Sequence, residues 1–471
     1  MLDNFLNKIR NKSVHIVGVT GAEGSSILRF LLKHKITKIT AHDFLGEKSF
    51  EKSFRLWHKG ILPVERTKLF HLFKNDISRV KFFSGKEYLT DISSADIIFV
   101  PQSWRLYKRQ NQRLWQAKKR GTPFYSLTRL YLDFAPATVV GVTGTVGKGS
   151  VANILVQLLK KCRSSGRSVY FAGNETWMVQ LADKIDEMDV RDILVLEISH
   201  RQLQDGFSRA PQIVIFTNLY PNHLDEVSWN QYKKLKLSLL KAQKAGDYSI
   251  INYDSPELRS IASELKSKVI YFSTKNKNMN KKSVQEIYES YMNKKSDHYL
   301  ENILAASTAA NILSVDKKTI RDSVPNISSL PARLEYLITI SGIKFYDDIK
   351  STTPWATQAA VSKLNPNVIL ICGGRTKGIN YQDFADKIKT LTKHVIILKS
   401  ELSGNLTKLL PKDLYKNVTN LESGIKLAFK NSTVGDKIVV SPAASFFYSD
   451  FIKGKTSLCK IITSLLPKEK V

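Results

Sequence analysis

TVVGVTGTVGKGS, residues 138–150, sets a β-branched run directly before a glycine-rich turn and a lysine. The run reads as a buried strand, and VANILVQLLKKC (151–162) after the turn reads as a helix with apolar positions every three or four residues. Strand, turn and helix in that order form an anion site, because backbone N–H groups and the positive end of the helix dipole converge on the turn. The glycines fall as G-x-x-G-x-x-G-K, at Gly141, Gly144 and Gly147 before Lys148. The commoner phosphate loop, G-x-x-x-x-G-K-[ST], has a glycine where this chain has Val142 and a hydroxyl where it has Gly149. A cradle can form without a glycine at 142, and Lys148 supplies a point charge for the β- and γ-phosphates of ATP. The displaced hydroxyl leaves three candidates for the magnesium shell: Ser150, Thr145 or water. Gly144, Thr145, Gly147, Lys148, Gly149 and Ser150 are the expected nucleotide contacts.

On either side of this stretch, short β-rich runs alternate with helical ones, which implies parallel sheets with helices on their faces. VHIVGV (14–19), KITAHDF (38–44) and ADIIFVP (95–101) belong to a first series; SVYFAG (168–173), DILVLEIS (192–199) and QIVIFTNL (212–219) follow the phosphate loop. IKFYDDI, NVILICGG (367–374), HVIILK (394–399) and KIVVSPAA (437–444) form a third series after SVPNISSLPARL (323–334). The predicted fold class is α/β in three domains. A Rossmann-like N-terminal domain is expected over 1–126, a central P-loop ATPase-type domain with a parallel sheet over 127–330, and a Rossmann-like C-terminal domain over 331–471.

The bulk properties are those of a folded, multidomain chain: 471 residues exceed what one core holds, with 42% hydrophobic and 24% charged residues. No apolar run approaches a membrane span, and MLDNFLNKIRNKSVHIVG lacks the apolar stretch of a secretory signal, so a cytoplasmic protein with no membrane partner is expected. Cys162, Cys372 and Cys459 are widely spaced, which supports neither a disulfide framework nor a zinc site. The formal charge of +30 invites a nucleic-acid reading, but the lysines are spread along the chain in short patches such as KNKNMNKK (275–282). A solvated basic surface that attracts small anionic substrates, with no nucleic-acid partner, is the reading adopted.

Glu197 closes a buried run at a strand end, where ligands of open α/β sheets gather, and its carboxylate suits magnesium. His223 and Asp225 lie just past the next strand, in QIVIFTNLYPNHLDEV. In the first series GVTGAEG (18–24) follows a strand and precedes a helix. Gly18, Gly21 and Gly24 can hold a diphosphate there, and Asp43 at the end of the second strand can accept hydrogen bonds from a ribose or base. The spacing is G-x-x-G-x-x-G and not the G-x-G-x-x-G of nicotinamide sites.

G-V-T-G-T-x-G-K, AGN (172–174), LEIS (196–199), TNLYPNHLD (217–225), YKKLK (232–236), INYD (251–254), HYLEN-x-x-AA (298–306), LPARLE (330–335), DDIKSTTP (347–354) and GGRTKG (373–378) occur in the order found in the Mur ligases. The chain resembles that family along nearly its whole length. The resemblance implies an ATP-dependent amide-forming enzyme of peptidoglycan synthesis, acting as a monomer with ATP and two magnesium ions. Its short first domain and VVSPAASFFYSDF (439–451) are most similar to the member that adds D-glutamate to UDP-N-acetylmuramoyl-L-alanine, which makes those two compounds the expected partners. The domains then become a UDP-substrate domain, an ATP-binding ligase domain and an amino-acid-binding domain.

Residue by residue, the resemblance implies that Lys148 meets the phosphates, Glu197 a magnesium and His223 a second one. Lys236 falls at the lysine that the family carbamylates, and as a carbamate it could complete the second metal site. Asn302 falls beside the adenine, Arg333 reaches the phosphates from the third domain, and Asp348 lies beside the ribose. Asn174 and Ser199 count among the substrate-binding residues, and Gly18, Gly21, Gly24 and Asp43 fall on the UDP-substrate side. Lys350, Thr352, Lys377, Ser445 and Phe451 fall where the incoming amino acid binds. Five features depart from the family pattern: Gly149, Val146 in place of an asparagine, Tyr299 in place of the first asparagine of H-N-x-x-N, VPQSWR (100–105) in place of S-P-G, and a shorter C-terminal motif. They keep open a ligase for another amino acid, or a nucleotide- or UDP-sugar-binding protein that does not ligate.

Overall fold

The computed structural model describes all residues except 47–48, 59, 163–165, 175–178, 293–299, 447–457 and 465–471, and gives no side chains for 290–292. Its strands form three separate sheets. The first contains β1 (Val14–Val17), β2 (Ile39–Asp43), β3 (Lys81–Ser84), β4 (Ile97–Phe99) and β5 (Phe124–Tyr125), in the order β3-β2-β1-β4-β5 and parallel throughout.

The second sheet, which carries the phosphate loop, is built from β6 (Thr138–Thr143), β7 (Val169–Gly173), β8 (Ile193–Glu197), β9 (Ile213–Phe216), β10 (Tyr248–Asn252) and β11 (Lys268–Phe272). Its order is β11-β10-β9-β6-β8-β7, again all parallel. The sheet explains why these runs are apolar without alternation: both faces are covered. Val140, Val142, Val195, Ile215 and Ile250 pack against the helices Lys148–Lys161 and Leu300–Ile312 on one face. Their neighbours Val139, Leu194, Leu196, Val214, Phe216 and Ile251 turn to the other face and meet Tyr232, Leu239 and Leu240 of the helix Trp229–Lys241. That second core runs on into the first sheet through the helix Leu127–Phe134. β6 lies between β9 and β8, so its carboxyl end is where the strand order reverses and crevices open.

The third sheet departs from uniform parallel pairing. It contains β12 (Glu335–Ile340), β13 (Ile343–Asp347), β14 (Val368–Cys372), β15 (His394–Leu398), β16 (Tyr415–Val418) and β17 (Lys437–Val440), ordered β12-β13-β17-β14-β15-β16, with β12 antiparallel to β13. The turn at Ser341 and Gly342, both at positive φ, makes this edge a hairpin. Val368, Leu370 and Cys372 face one core, Ile369 and Ile371 the other. Among the described residues no helix is long and apolar enough to cross a membrane.

Candidate active site

The loop after β6 takes a shape that only glycine tolerates at two points. Gly144 has φ +136°, and a Cβ there would overlap the Thr217 hydroxyl; Gly147 has φ +87° and caps the helix Lys148–Lys161, where a Cβ would lie 2.5 Å from Asn302 Oδ1. The loop is tied to the chain beyond β9. Thr145 N–H donates to the Asn218 carbonyl (2.9 Å), Val146 N–H to Asn218 Oδ1 (2.8 Å), and Thr217 Oγ1 to the Val146 carbonyl (2.6 Å). The Thr145 hydroxyl donates to the Tyr220 carbonyl (3.1 Å) and accepts from its N–H (3.0 Å). Of the two hydroxyls expected near magnesium, Thr145 is thus engaged with backbone, and Ser150 is 8% exposed in the first helical turn. Gly149 and Lys148 line the cavity above the loop, whose volume is about 320 Å³.

Strand ends supply the opposite wall. Glu197 terminates β8 and is 2% exposed; Asn174, one residue past β7, donates from Nδ2 to Glu197 Oε1 (3.1 Å). Lys236 reaches the same wall from the helix Trp229–Lys241, with 1% exposure, and donates to Thr143 Oγ1 (3.2 Å). Burial, reinforced by the charge of Lys148, drives the Lys236 amine well below its ordinary pKa, with Glu197 opposing. An amine so depressed is available in neutral form, the form that reacts with carbon dioxide.

Past β9 the backbone carries His223 at φ +56°, and its Nδ1 lies 2.8 Å from Glu226 Oε1. His200, which follows Ser199 at the start of the short helix His200–Leu203, packs its ring 4.4 Å from that of His223. The His200, His223 and Glu226 ligand atoms lie within 4.8 Å of one another, a set able to hold a cation. Arg201 grips Glu226 through Nε (2.8 Å to Oε2) and through Nη2 to Oε1. Burial raises the Glu226 carboxyl, but the hydrogen bonds from Arg201 and the His223 ring, with the His200 Nε2 3.7 Å away, outweigh it and hold the group below its usual range. Burial lowers both imidazoles, His200 to about 4.

The third sheet closes the cavity from above. Lys377, also at positive φ (+57°), accepts the Leu224 N–H at its carbonyl (2.9 Å) and donates from Nζ to the Thr352 carbonyl (3.0 Å). Burial and the charges of Arg201 and Lys148 push its amine down to about 7. Trp355 stacks on Tyr220 across the same seam, centroids 5.0 Å apart and planes 9° from parallel. Arg333, Lys350, Thr352 and Lys377 all line the cavity, and Arg333 donates to the Lys350 carbonyl (3.0 Å). Asp348 does not: it is 1% exposed and accepts from the Leu334 N–H (2.9 Å) and the Ser441 hydroxyl (2.6 Å). Burial pushes its carboxyl up to about 6. Ser445 pairs with Arg375 as an isolated antiparallel bridge, and Phe451 lies outside the described residues.

A second cavity, of about 240 Å³, opens at the carboxyl end of the first sheet. Gly18 and Gly21 line it, and Gly24 sits against the Gly18 carbonyl where no Cβ fits. Asp43 also lines it, but its Oδ2 accepts from Thr20 Oγ1 (2.6 Å) and Thr20 N–H (3.1 Å), and its Oδ1 from Leu45 N–H (3.1 Å). Rings of Phe44, Trp57, Tyr88, Trp104 and Tyr107 form much of the wall. Ser199, expected to bind substrate, lines the first cavity and donates to Gln102 Oε1 (2.9 Å). His200, Arg201 and Glu226 escaped the sequence reading, although the first two directly follow LEIS and Glu226 stands three residues after His223.

A phosphate loop on the central strand, a carboxylate and an imidazole at flanking strand ends, a buried lysine between them and a third sheet folded over the top together describe an ATP-dependent ligase. Residues 142–314 match the family described as the Mur ligase middle domain, and the chain belongs to the Mur ligase family, whose peptidoglycan-building, ATP-dependent activity it shares. It is similar to the UDP-N-acetylmuramoylalanine–D-glutamate ligase of Acetivibrio thermocellus, with 28% identity over 98% of this chain and 99% of that protein. The ligase of the same name from Caldanaerobacter subterraneus subsp. tengcongensis is 30% identical over 70% of this chain and 76% of its own. Among solved structures, the UDP-N-acetylmuramate-alanine ligase of Thermotoga maritima superposes with a TM-score of 0.56 over 93% of this chain and 97% of that one; at 15% identity it speaks for the fold.

Proposed function

We propose that this ligase joins D-glutamate to UDP-N-acetylmuramoyl-L-alanine, with residues 1–126 holding the UDP-linked substrate, 127–330 ATP and 331–471 the amino acid. The observation that carries the reading is convergence. Lys148, Glu197 and Lys236 of the second sheet share one cavity with Arg333, Lys350, Thr352 and Lys377 from the third. The names of the two curated relatives favour D-glutamate as the amino acid.

The substrate carboxylate oxygen bonds to the γ-phosphorus of ATP as the bond to the ADP oxygen breaks. The neutral amine of D-glutamate then bonds to the acyl carbon, phosphate departs with its oxygen, and the nitrogen sheds a proton. Lys148 balances charge that would otherwise repel an anionic nucleophile. The third sheet, resting on Leu224 and Tyr220, excludes water from the acyl phosphate.

The donor chemistry fits magnesium: Glu197 offers a buried carboxylate, and His223, with Lys236 as a carbamate, a second set of donors. Bound there, magnesium would withdraw charge from the γ-phosphate oxygens. Because Thr145 is engaged with Tyr220 and Ser150 is buried, water is the best candidate for the ligand that a hydroxyl at 149 would supply.

Phosphate release from ATP tests the reading. Turnover is expected only with UDP-N-acetylmuramoyl-L-alanine and D-glutamate together. Equal turnover with another amino acid would move the specificity, and no stimulation by any combination would remove the ligase assignment to this substrate.

A further inference from the structure

Among the described residues only Asn174 and Arg201 line both the ATP-side cavity and the cavity of the first sheet. Arg201 is also the sole cationic side chain, among the described residues, on the wall of the first-sheet cavity, which it lines together with two carboxyl groups, Glu23 and Asp43. This balance is unfavourable for a diphosphate. The helix Ala22–Lys33 offers its N-terminus, but Glu23 already sits in its first turn and accepts the Gln102 N–H (2.8 Å). Burial, with the nearby Asp205 charge adding to it, pushes the Glu23 carboxyl up to about 7 despite that hydrogen bond. Backbone N–H groups at the Gly18–Gly24 loop therefore lack a cationic counterpart on their own element.

We propose that Arg201 is the diphosphate-binding residue of the first-sheet cavity, taking the anionic oxygens of a nucleoside-diphosphate-linked substrate at the point where that cavity meets the ATP site. The inference rests on the UDP-linked substrate proposed above. Arg201 is suited to the task by position and by shape. Glu226 holds one side of the guanidinium through Nε and Nη2, which orients the planar fork, and a guanidinium carries five N–H donors. The Ser199–Gln202 capping box fixes the turn that carries it. A diphosphate at this spot would leave the uridine among Phe44, Trp57, Tyr88 and Tyr107 and direct the sugar's acyl arm past Asn174 toward Lys148 and Glu197.

The test is titration of UDP and of uridine against the full chain, followed by tryptophan fluorescence, since Trp57 and Trp104 line the cavity. The wild-type protein is expected to bind UDP at least about tenfold more tightly than uridine. Arg201→Gln should weaken UDP by about ten- to a hundredfold, the worth of one or two charge-assisted hydrogen bonds, and leave uridine within about twofold. Arg201→Lys, which keeps the charge but loses the fork, should fall between and carries the test if Arg201→Gln does not fold. If these variants weaken UDP and uridine equally, or neither, Arg201 only braces Glu226 and the proposal fails. If the wild type binds neither compound, the UDP-linked reading itself fails and takes this one with it.

Discussion

Lys236 Nζ donates to the Thr143 hydroxyl at 3.2 Å, at the very end of the strand that opens into the phosphate loop. A long cationic side chain has been buried to 1% exposure between Lys148 and Glu197, which is costly unless the amine is neutral or modified. Lys236→Arg cannot form a carbamate and should lower kcat by about 100-fold or more. A carbamate signal in the carbon-13 spectrum of wild-type protein equilibrated with labelled bicarbonate, absent from the variant, is the accompanying expectation. Activity that is indifferent to the substitution would rule out the carbamate role.

Lys377 gives the fold a pH dependence with a definite sign. Its amine stands at about 7 in the folded protein against an ordinary 10.5, so between these values the unfolded chain binds a proton that the folded one does not. Stability contributed at this position therefore rises as pH climbs from about 7 to 10.5. Lys377→Met should flatten the dependence of Tm on pH across that window and raise Tm at pH 7. A variant whose profile parallels the wild type would show that the amine is not depressed.

Gly144→Ala strains a backbone at φ +136° and drives a methyl group into the Thr217 hydroxyl. The expected cost is about 2 kcal/mol or more in unfolding free energy, with KM for ATP raised because Thr217 also anchors the Val146 carbonyl. Denaturant unfolding and ATP titration measure the two effects. Unchanged values in both would mean that the loop relaxes freely.

Asp348 was expected beside the ribose, yet its oxygens hold the Leu334 amide and the Ser441 hydroxyl. Asp348→Ala should reduce Tm by leaving those donors buried without acceptors, whereas Asp348→Asn, which retains one carbonyl oxygen for Leu334, should cost less. If Asp348→Ala raises KM for ATP and leaves Tm untouched, the residue serves the nucleotide and not the wall behind it.

Gly149 has no positive φ, so Gly149→Ser is compatible with the first turn of the helix. The serine should lower the magnesium concentration needed for half-maximal phosphate release, by supplying the oxygen assigned above to water. An unaltered magnesium dependence would count against that assignment.

Much of the architecture is readable because interior strands of parallel sheets are apolar on both faces: TVVGVT, DILVLEIS, QIVIFTNL and NVILICGG all became strands. What escapes is mostly at the margins. Lys81–Ser84, Lys268–Phe272, Glu335–Ile340 and Tyr415–Val418 are edge strands with charged or exposed positions, and Phe124–Tyr125 is only two residues long. Tyr248–Asn252 is interior, but Ser249 interrupts its apolar run; that hydroxyl is buried and donates to Gln243 Oε1 (2.6 Å). At the site, the glycine-rich loop and the strand end pointed to Lys148 and Glu197, and the family resemblance to Lys236; all three line one cavity. Spacing could not reveal that Thr20 would take Asp43, or that Arg201 would stand at the junction of two cavities, because each depends on side chains far apart in the chain.

The Tyr220–Trp355 stack has an optical consequence. Any rotation that parts the third sheet from the second must slide these rings off one another, which wets the indole and moves its emission to longer wavelength. Among the six tryptophans of the chain, Trp355 thus serves as a native hinge gauge, and a Trp355→Phe control would let closure be timed in a stopped-flow mixer without attaching a dye.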